Sequence, residues 1–194
     1  SELQPFVDAG LDRLAICFSR ISDKYLPAGQ EQKFNPRHTD HYAMFLYLVA
    51  NTIRKMGGDL ELADKLYALN KALHAIDVYH EVELPEVFFF QHPVGTVLGR
   101  AKYGNYFMVY QRCTVGAKDQ TYPSIGEGVV MFGGSAIIGD CAIGSNVWLS
   151  LGTIVLGENI PDNSVVFGQP PKIVVKPTQR NIVRDLFDHP SGRS

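Results

Sequence analysis

The sequence predicts an α+β fold with a helical N-terminal domain over residues 1–76, a solenoid of short parallel strands over residues 77–174 and a short C-terminal tail over residues 175–194. Two periodicities predict it: apolar residues recur at helical spacing in the first part and at every sixth position from Val97 onward. With 45 % hydrophobic residues, a chain of 194 residues can bury a packed core.

The helical part divides into an N-terminal helix and a helical hairpin. Apolar residues of the first helix include Leu11, Leu14 and Phe18. Gly57-Gly58 separates the last two helices, and Asp59 is predicted to cap the second of them. Residues 26–36, with two prolines and a glycine, are predicted to form a loop.

The second part repeats a bulky apolar anchor every six residues, with one register slip between Val115 and Ile125. The anchors are Val97, Tyr103, Val109, Val115, Ile125, Met131, Ile137, Ile143, Leu149 and Val155. A small or slim residue follows most anchors after four positions, as expected where flat strands stack inside and turn at corners. A flat sandwich is the alternative, but its strands would alternate with period two and its turns would vary in length.

Charge and composition exclude several function classes. The net charge of -2 and the pI near 6.3 offer no basic field for a nucleic acid. No apolar run approaches the roughly 20 residues that span a bilayer, and no signal peptide is visible. The three cysteines are scattered, so a reducing cytoplasm is the expected location.

Three segments give the repeat region a specific resemblance. They are residues 91–99 (QHPVGTVLG), residues 113–116 (CTVG) and residues 165–174 (VVFGQPPKIV). With the helical part before them, they resemble the serine acetyltransferase family of hexapeptide-repeat acyltransferases. The resemblance implies a left-handed parallel β-helix, acetyl-CoA as co-substrate and direct O-acetyl transfer to the hydroxyl of a small-molecule acceptor.

The family's catalytic histidine corresponds to His92, and its catalytic aspartate, fifteen residues earlier, corresponds to Asp77. An imidazole can take the proton of an attacking hydroxyl near pH 7, and a carboxylate on its other ring nitrogen fixes the tautomer. The alternative is a structural histidine before a turn-forming Pro93. No catalytic metal is predicted, because the repeat region offers no set of histidine ligands.

The predicted acceptor site departs from the family at three positions. Gln91 and Asn35 replace aspartates, and Tyr122 lies where the family has an Arg-His pair. These amides and the phenol favour a neutral sugar or sugar nucleotide, because a buried zwitterion without counter-charges is costly. The alternatives are serine held in a rearranged site, as in cysteine biosynthesis, ordinary loop and corner residues, or a non-catalytic solenoid scaffold.

The resemblance also implies how the coenzyme and the assembly are arranged. Coenzyme contacts map to Gly116, Ala117, Gly134, Ser135, Gly152, Thr153 and Lys172, although Lys172 could equally be a solvated surface lysine. A homotrimer, or a dimer of trimers, is implied because the family's site lies between subunits. Residues 177–194 are predicted to form an amphipathic helix; they end in Gly-Arg-Ser instead of the family's isoleucine, so a cysteine synthase partner is not expected.

Overall fold

A computed structural model describes residues 2–21 and 32–187. Its N-terminal part contains the three predicted helices, α1 (Gln4–Arg20), α2 (Thr39–Lys55) and α3 (Leu60–His74). The predicted cap is present, because the Asp59 side chain accepts a hydrogen bond of 2.9 Å from the backbone N–H of Glu61. Within the described residues, no helix is long and apolar enough to span a membrane. Residues 26–31 of the predicted loop lie outside the described residues.

The second part is a solenoid of short, mostly parallel strands. The strands are β1 (Asp77–Val78), β2 (Phe88–Phe90), β3 (Val97–Leu98), β4 (Lys102–Tyr103), β5 (Phe107–Val109), β6 (Thr114–Gly116), β7 (Ser124–Ile125), β8 (Val129–Met131), β9 (Ala136–Ile138), β10 (Ala142–Ile143), β11 (Val147–Leu149), β12 (Ile154–Leu156), β13 (Ser164–Gln169) and β14 (Lys172–Pro177). They form three sheets ordered β1-β3-β6-β9-β12, β10-β7-β4 and β14-β13-β11-β8-β5-β2. Neighbouring strands of a sheet come from successive turns of the chain and pair in parallel, except for the antiparallel pair β13–β14. The predicted helical part followed by a solenoid is confirmed.

The predicted anchors line the interior from Val109 onward. Val109, Val115, Met131, Ile137, Leu149 and Val155 are 0 % exposed, and Ile125 and Ile143 are nearly so. The prediction for Val97 is wrong, because Val97 is 41 % exposed and its neighbour Leu98 is buried. The register explains the difference: Leu98 pairs with the buried Val115, whereas Val97 pairs with Thr114 on the outer face of the sheet. The corner between Leu98 and Tyr103 is therefore one residue shorter than the repeat.

The helical part and the solenoid share one continuous core, which crosses residue 76. Tyr47 of α2 links the helical part to the solenoid. Its hydroxyl donates to the carbonyl of Val82 (2.7 Å) and accepts from the N–H of Leu84 (3.1 Å). Asn51, one turn further along α2, donates to the carbonyl of His80 at 2.8 Å. These contacts hold the middle and the C-terminal half of α2 against the segment that follows β1.

After β14 the chain crosses the solenoid again. Ile182 and Phe187 are fully buried, and Phe187 packs edge-on against Tyr106. The predicted amphipathic tail helix is reduced here to a single π-helical turn, Val183–Phe187, and residues 188–194 lie outside the described residues.

Candidate active site

His92 lies at an open corner of the solenoid, between β2 and β3. Its φ of 50° is in the left-handed region, which non-glycine residues adopt at a cost of about 1–2 kcal/mol. The turn closes with a hydrogen bond of 2.8 Å from the N–H of Val94 to the carbonyl of His92. The imidazole is 69 % exposed, so the corner presents the ring to solvent.

The carboxylate beside His92 belongs to Asp40, the second residue of α2. Asp40 Oδ2 accepts a hydrogen bond of 3.0 Å from the backbone N–H of His92 and lies 3.4 Å from its ring nitrogen Nδ1. Asp40 is only 3 % exposed, although aspartate is rarely buried without a partner. Sequence reasoning missed this residue. Its only signal was an acid in the first turn of a helix, which is also the ordinary response to the helix dipole.

Gln91 contacts the other ring nitrogen of His92. Its side-chain nitrogen lies 3.0 Å from His92 Nε2. An amide nitrogen can only donate, so with the Gln91 amide in this orientation the tautomer that fits has Nε2 as acceptor and its proton on Nδ1, facing Asp40. In that tautomer the lone pair lies on Nε2, where a general base would use it.

Asp77, the predicted partner of His92, contacts other residues of the chain instead. It forms an ion pair with Lys71 and accepts a hydrogen bond of 2.8 Å from the Tyr67 hydroxyl. Although partial burial raises the pKa of the Asp77 carboxyl, the hydrogen bonds from Lys71 and Tyr67 outweigh it and leave the pKa below its usual value. No hydrogen bond or ion pair joins Asp77 to His92 in the part of the chain that the structure describes, where Lys71, near the end of α3, is the ion-pair partner of Asp77.

A small cavity opens beside the His92 corner. Its lining consists of Thr39, Asp40, Leu73, His74, Ala75, Pro93 and Val94. Its volume of about 170 Å³ corresponds to about five or six water molecules at about 30 Å³ each. Burial lowers the pKa of His74, while the nearby Asp40 carboxylate acts in the opposite direction. The cavity is thus mainly apolar, with one acid and one weakly basic imidazole.

Two of the three predicted acceptor residues do not contact His92. Asn35 uses its side-chain oxygen to accept from the N–H of Arg37 (3.0 Å), which is a local turn. Tyr122 is 45 % exposed, and its side chain lies close to Arg100. Of the three, only Gln91 lies at the base.

The predicted coenzyme positions lie mostly at solenoid corners. Gly134 and Gly152 occupy corners of successive turns with φ values of 73° and 70°, where a side chain would be strained. Ser135 and Thr153 are 0 % exposed, and Thr153 donates inward to the carbonyl of Val166 (3.0 Å). Neither residue therefore exposes an atom to a ligand in the chain as folded.

The remaining positions lie at strand ends. Gly116 and Ala117 are at the end of β6, and the exposed Lys172 begins β14. Within residues 2–21 and 32–187, no group of three or more His, Cys, Asp or Glu side chains is arranged to hold a metal ion. The absence of a catalytic metal stays a prediction.

Comparisons with known proteins give a consistent family resemblance. No family model matches the chain. A serine acetyltransferase of Synechococcus elongatus is 28 % identical over 126 residues, which cover 62 % of this chain and 50 % of that protein. A serine acetyltransferase of Staphylococcus epidermidis is 28 % identical over 153 residues, covering 76 % of this chain and 70 % of the relative.

The solved structures agree in fold. Serine acetyltransferase isoform 3 of Entamoeba histolytica, in complex with cysteine, superposes with a TM-score of 0.63 at 26 % identity, covering 90 % of this chain and 62 % of that one. The serine acetyltransferase of Vibrio cholerae superposes with a TM-score of 0.71 at 19 % identity, covering 92 % of this chain and 68 % of that one, and this likeness concerns the fold alone. The chain thus spans half to about two thirds of the length of several of these proteins.

Proposed function

We propose that this chain, which is serine acetyltransferase-like in sequence and in fold, is an acyltransferase that moves acetyl from acetyl-CoA to an acceptor hydroxyl, with His92 as general base. One observation carries the proposal: the exposed ring of His92 has its Nδ1 3.4 Å from a buried carboxylate and its Nε2 3.0 Å from an amide nitrogen, an arrangement that favours a lone pair on Nε2. The serine acetyltransferase relatives support the same chemistry.

The reaction follows from the ring's position. Nε2 takes the proton of the acceptor hydroxyl as its oxygen attacks the thioester carbonyl carbon, which requires Gln91 to move aside or to bond the acceptor instead. The C–S bond then breaks, and the thiolate of coenzyme A takes the proton from the imidazolium. The coenzyme is proposed to lie against the backbone of the corners at Gly134 and Gly152, with Lys172 near a phosphate.

A homotrimer, or a dimer of trimers, fits this proposal, because one chain leaves apolar side chains uncovered on its solenoid. Val97 on β3 and Leu156 on the edge strand β12 of the β1-β3-β6-β9-β12 sheet are 41 % and 38 % exposed. Leu151, at a corner, is 73 % exposed. A second copy packed there would cover them and enclose the coenzyme groove.

For the acceptor we propose L-serine, the alternative left open by the sequence, ahead of a sugar. The relatives are serine acetyltransferases, and the cavity of about 170 Å³ beside the His92 corner suits a ligand of a few heavy atoms. The argument for a neutral sugar rested on Asn35, Gln91 and Tyr122, and only Gln91 contacts the base. The Gln91 amide, where the family has an acid, is the one observation that still favours a sugar or sugar nucleotide.

Thiol release from acetyl-CoA tests the proposal with a panel of L-serine, D-serine, glucose and UDP-N-acetylglucosamine. We expect turnover with L-serine and a loss on the order of 100- to 10,000-fold in kcat for His92→Gln. His38→Gln, an exposed histidine one position before α2, is the control and should keep wild-type turnover. Turnover of a sugar alone would reverse the acceptor, and equal rates for His92→Gln and wild type would leave the solenoid as a scaffold.

A further inference from the structure

We propose that Asp40 is a positioning residue that orients His92 during catalysis. The inference rests on the proposed role of His92 as base. It assigns to the helical domain a function in the reaction, because Asp40 comes from α2 and lies 52 positions before His92 in the sequence.

One carboxylate oxygen of Asp40 contacts both the backbone and the ring of His92. Asp40 Oδ2 accepts from the His92 N–H at 3.0 Å and lies 3.4 Å from Nδ1. The side chains of Ala43 and Met44, on the next turn of α2, are fully buried, so the helix that carries the carboxylate cannot shift easily. A base held in this way keeps its orientation between turnovers.

Within the described residues, the hydrogen bond and the ion pair of the Asp40 carboxylate both go to His92, and its charge acts at longer range on His74. Burying an unpaired carboxylate is costly, and a charge in a buried position interacts more strongly with its neighbour than one in water. When Nε2 takes the acceptor proton, the ring becomes an imidazolium with a buried anion at its Nδ1. The developing positive charge is thereby stabilised.

Asp77 is less suited to this role in the chain as folded, because Lys71 and Tyr67 already occupy its carboxylate. The other titratable groups near Asp40 are His74, which lines the same cavity, and His38 and His41, which stack on each other at the start of α2. His74 directs its Nδ1 to the side-chain oxygen of Asn70 at 2.8 Å. Neither His38 nor His74 makes the two-atom contact with Asp40 that His92 makes.

A purely structural role for Asp40 is the competing explanation, because its carboxylate also satisfies the backbone N–H at a left-handed residue. Asp40→Asn separates the two roles: an asparagine side chain still accepts from that N–H but carries no charge. Asp64→Asn is the matched control. Asp64 also faces a histidine, His80 Nε2 at 3.1 Å, but it lies on the middle of α3 and outside the site.

The kinetic test measures kcat and KM for Asp40→Asn, Asp64→Asn and the wild type. We expect Asp40→Asn to lower kcat on the order of 100-fold with little change in KM for serine. Asp64→Asn should change neither. A raised KM with unchanged kcat would make Asp40 a ligand of the acceptor's ammonium group and would overturn the proposal.

A second readout does not depend on activity. Nitrogen-15 spectra of the histidine rings in the intact protein, with the His92 signals assigned by their loss in His92→Gln, report which ring nitrogen carries the proton. We expect the Nδ1–H tautomer in the wild type, a weaker preference for it in Asp40→Asn, because a neutral oxygen is a poorer acceptor than a carboxylate, and full retention in Asp64→Asn. If Asp77→Asn, and not Asp40→Asn, removed the preference, Asp77 would be the orienting residue.

The two readouts keep this inference separate from the proposed function. A protein without acetyl transfer but with the expected tautomer change would refute the reaction and not the pairing. Should Asp40→Asn fail to fold, as judged by circular dichroism and gel filtration, Asp40→Ser gives the same comparison with a smaller uncharged acceptor. An unchanged tautomer in a folded Asp40→Ser would equally overturn the pairing.

Discussion

The solenoid and the helical half are held together by different kinds of contact. In the solenoid, successive turns touch through their backbones, and Gly104, Gly126 and Gly144 stack so closely that a Cβ on Gly126 would lie 2.7 Å from the backbone of Gly144. In the helical half, side chains fill the space between α1, α2 and α3. A few polar groups, such as Tyr47 and Asn51, fasten α2 to the solenoid.

The difference teaches how the site is assembled. The solenoid places His92, the proposed base, at a corner, and the helical half supplies the buried carboxylate of Asp40 beside it. A periodic backbone can place a residue accurately but offers few buried acids. The neighbouring helix, docked by its own side chains, contributes the carboxylate that the repeat lacks.

The largest effect on stability is expected from Gly126→Ala. The new methyl group would meet backbone atoms of the next turn, which cannot move without the whole turn, and we expect a loss of about 3 kcal/mol or more in the free energy of unfolding. The conformation of Gly126 is not in the positive-φ region, so the cost is one of contact alone. Denaturant unfolding followed by circular dichroism measures it.

Gly10→Ala in α1 is the matched variant in the helical half. Its Cβ would meet a methyl group of Val49 at 2.7 Å and the Val49 backbone only at 3.3 Å, and alanine gains about 1 kcal/mol over glycine in a helix. We expect a net change of about 1 kcal/mol or less. Equal losses for the two variants would show that backbone stacking does not distinguish the halves.

The next effect is expected at the junction of the halves. Tyr47→Phe leaves the N–H of Leu84 and the carbonyl of Val82 without the hydroxyl that satisfies both, and an unpaired buried group costs about 1–3 kcal/mol. Tyr106→Phe in the solenoid is the control, since its hydroxyl makes no hydrogen bond within the described residues. If both variants lost the same stability, the junction would depend on packing and not on this hydroxyl.

Features that repeat along the chain could be predicted from the sequence, and irregular features were missed. Anchors from Val109 to Val155 could be identified because each occupies the same place in a turn, and the Asp59 cap could be identified because capping is local. Val97 was misplaced because the first corner is one residue short, a change of register that periodicity alone cannot detect.

The candidate site shows the same limit. His92 could be identified from its motif, but its contact with Asp40 depends on how α2 docks on the solenoid. No spacing rule links residue 40 to residue 92. The predicted partner Asp77 follows the family interval, and Lys71 is close enough in space to form an ion pair with it. Local chemistry was therefore predictable, and long-range electrostatic pairing was not.

The smallest predicted effect concerns a buried thiol at the same junction. Cys17 of α1 donates to the carbonyl of Glu86 (3.1 Å), and burial raises the pKa of its thiol from 9.0 to about 11. The folded protein therefore keeps the proton at pH values where the unfolded chain releases it. The thiol's contribution to stability is fully present below about pH 9 and is lost as the pH rises toward about 11.

Comparing Cys17→Ala with the wild type isolates this contribution from that of buried tyrosines such as Tyr47, whose pKa burial also raises. Because of the raised Cys17 pKa, we expect the free energy of unfolding of the wild type to be lower at pH 9.5 than at pH 7, by about 1 kcal/mol or slightly less. We therefore expect the difference in free energy of unfolding between wild type and Cys17→Ala to narrow by that amount between pH 7 and 9.5. A difference that stays constant over this range would mean that the junction opens enough for Cys17 to ionise in the folded protein. The helical half would then be docked less firmly on the solenoid than the contacts of Tyr47 require.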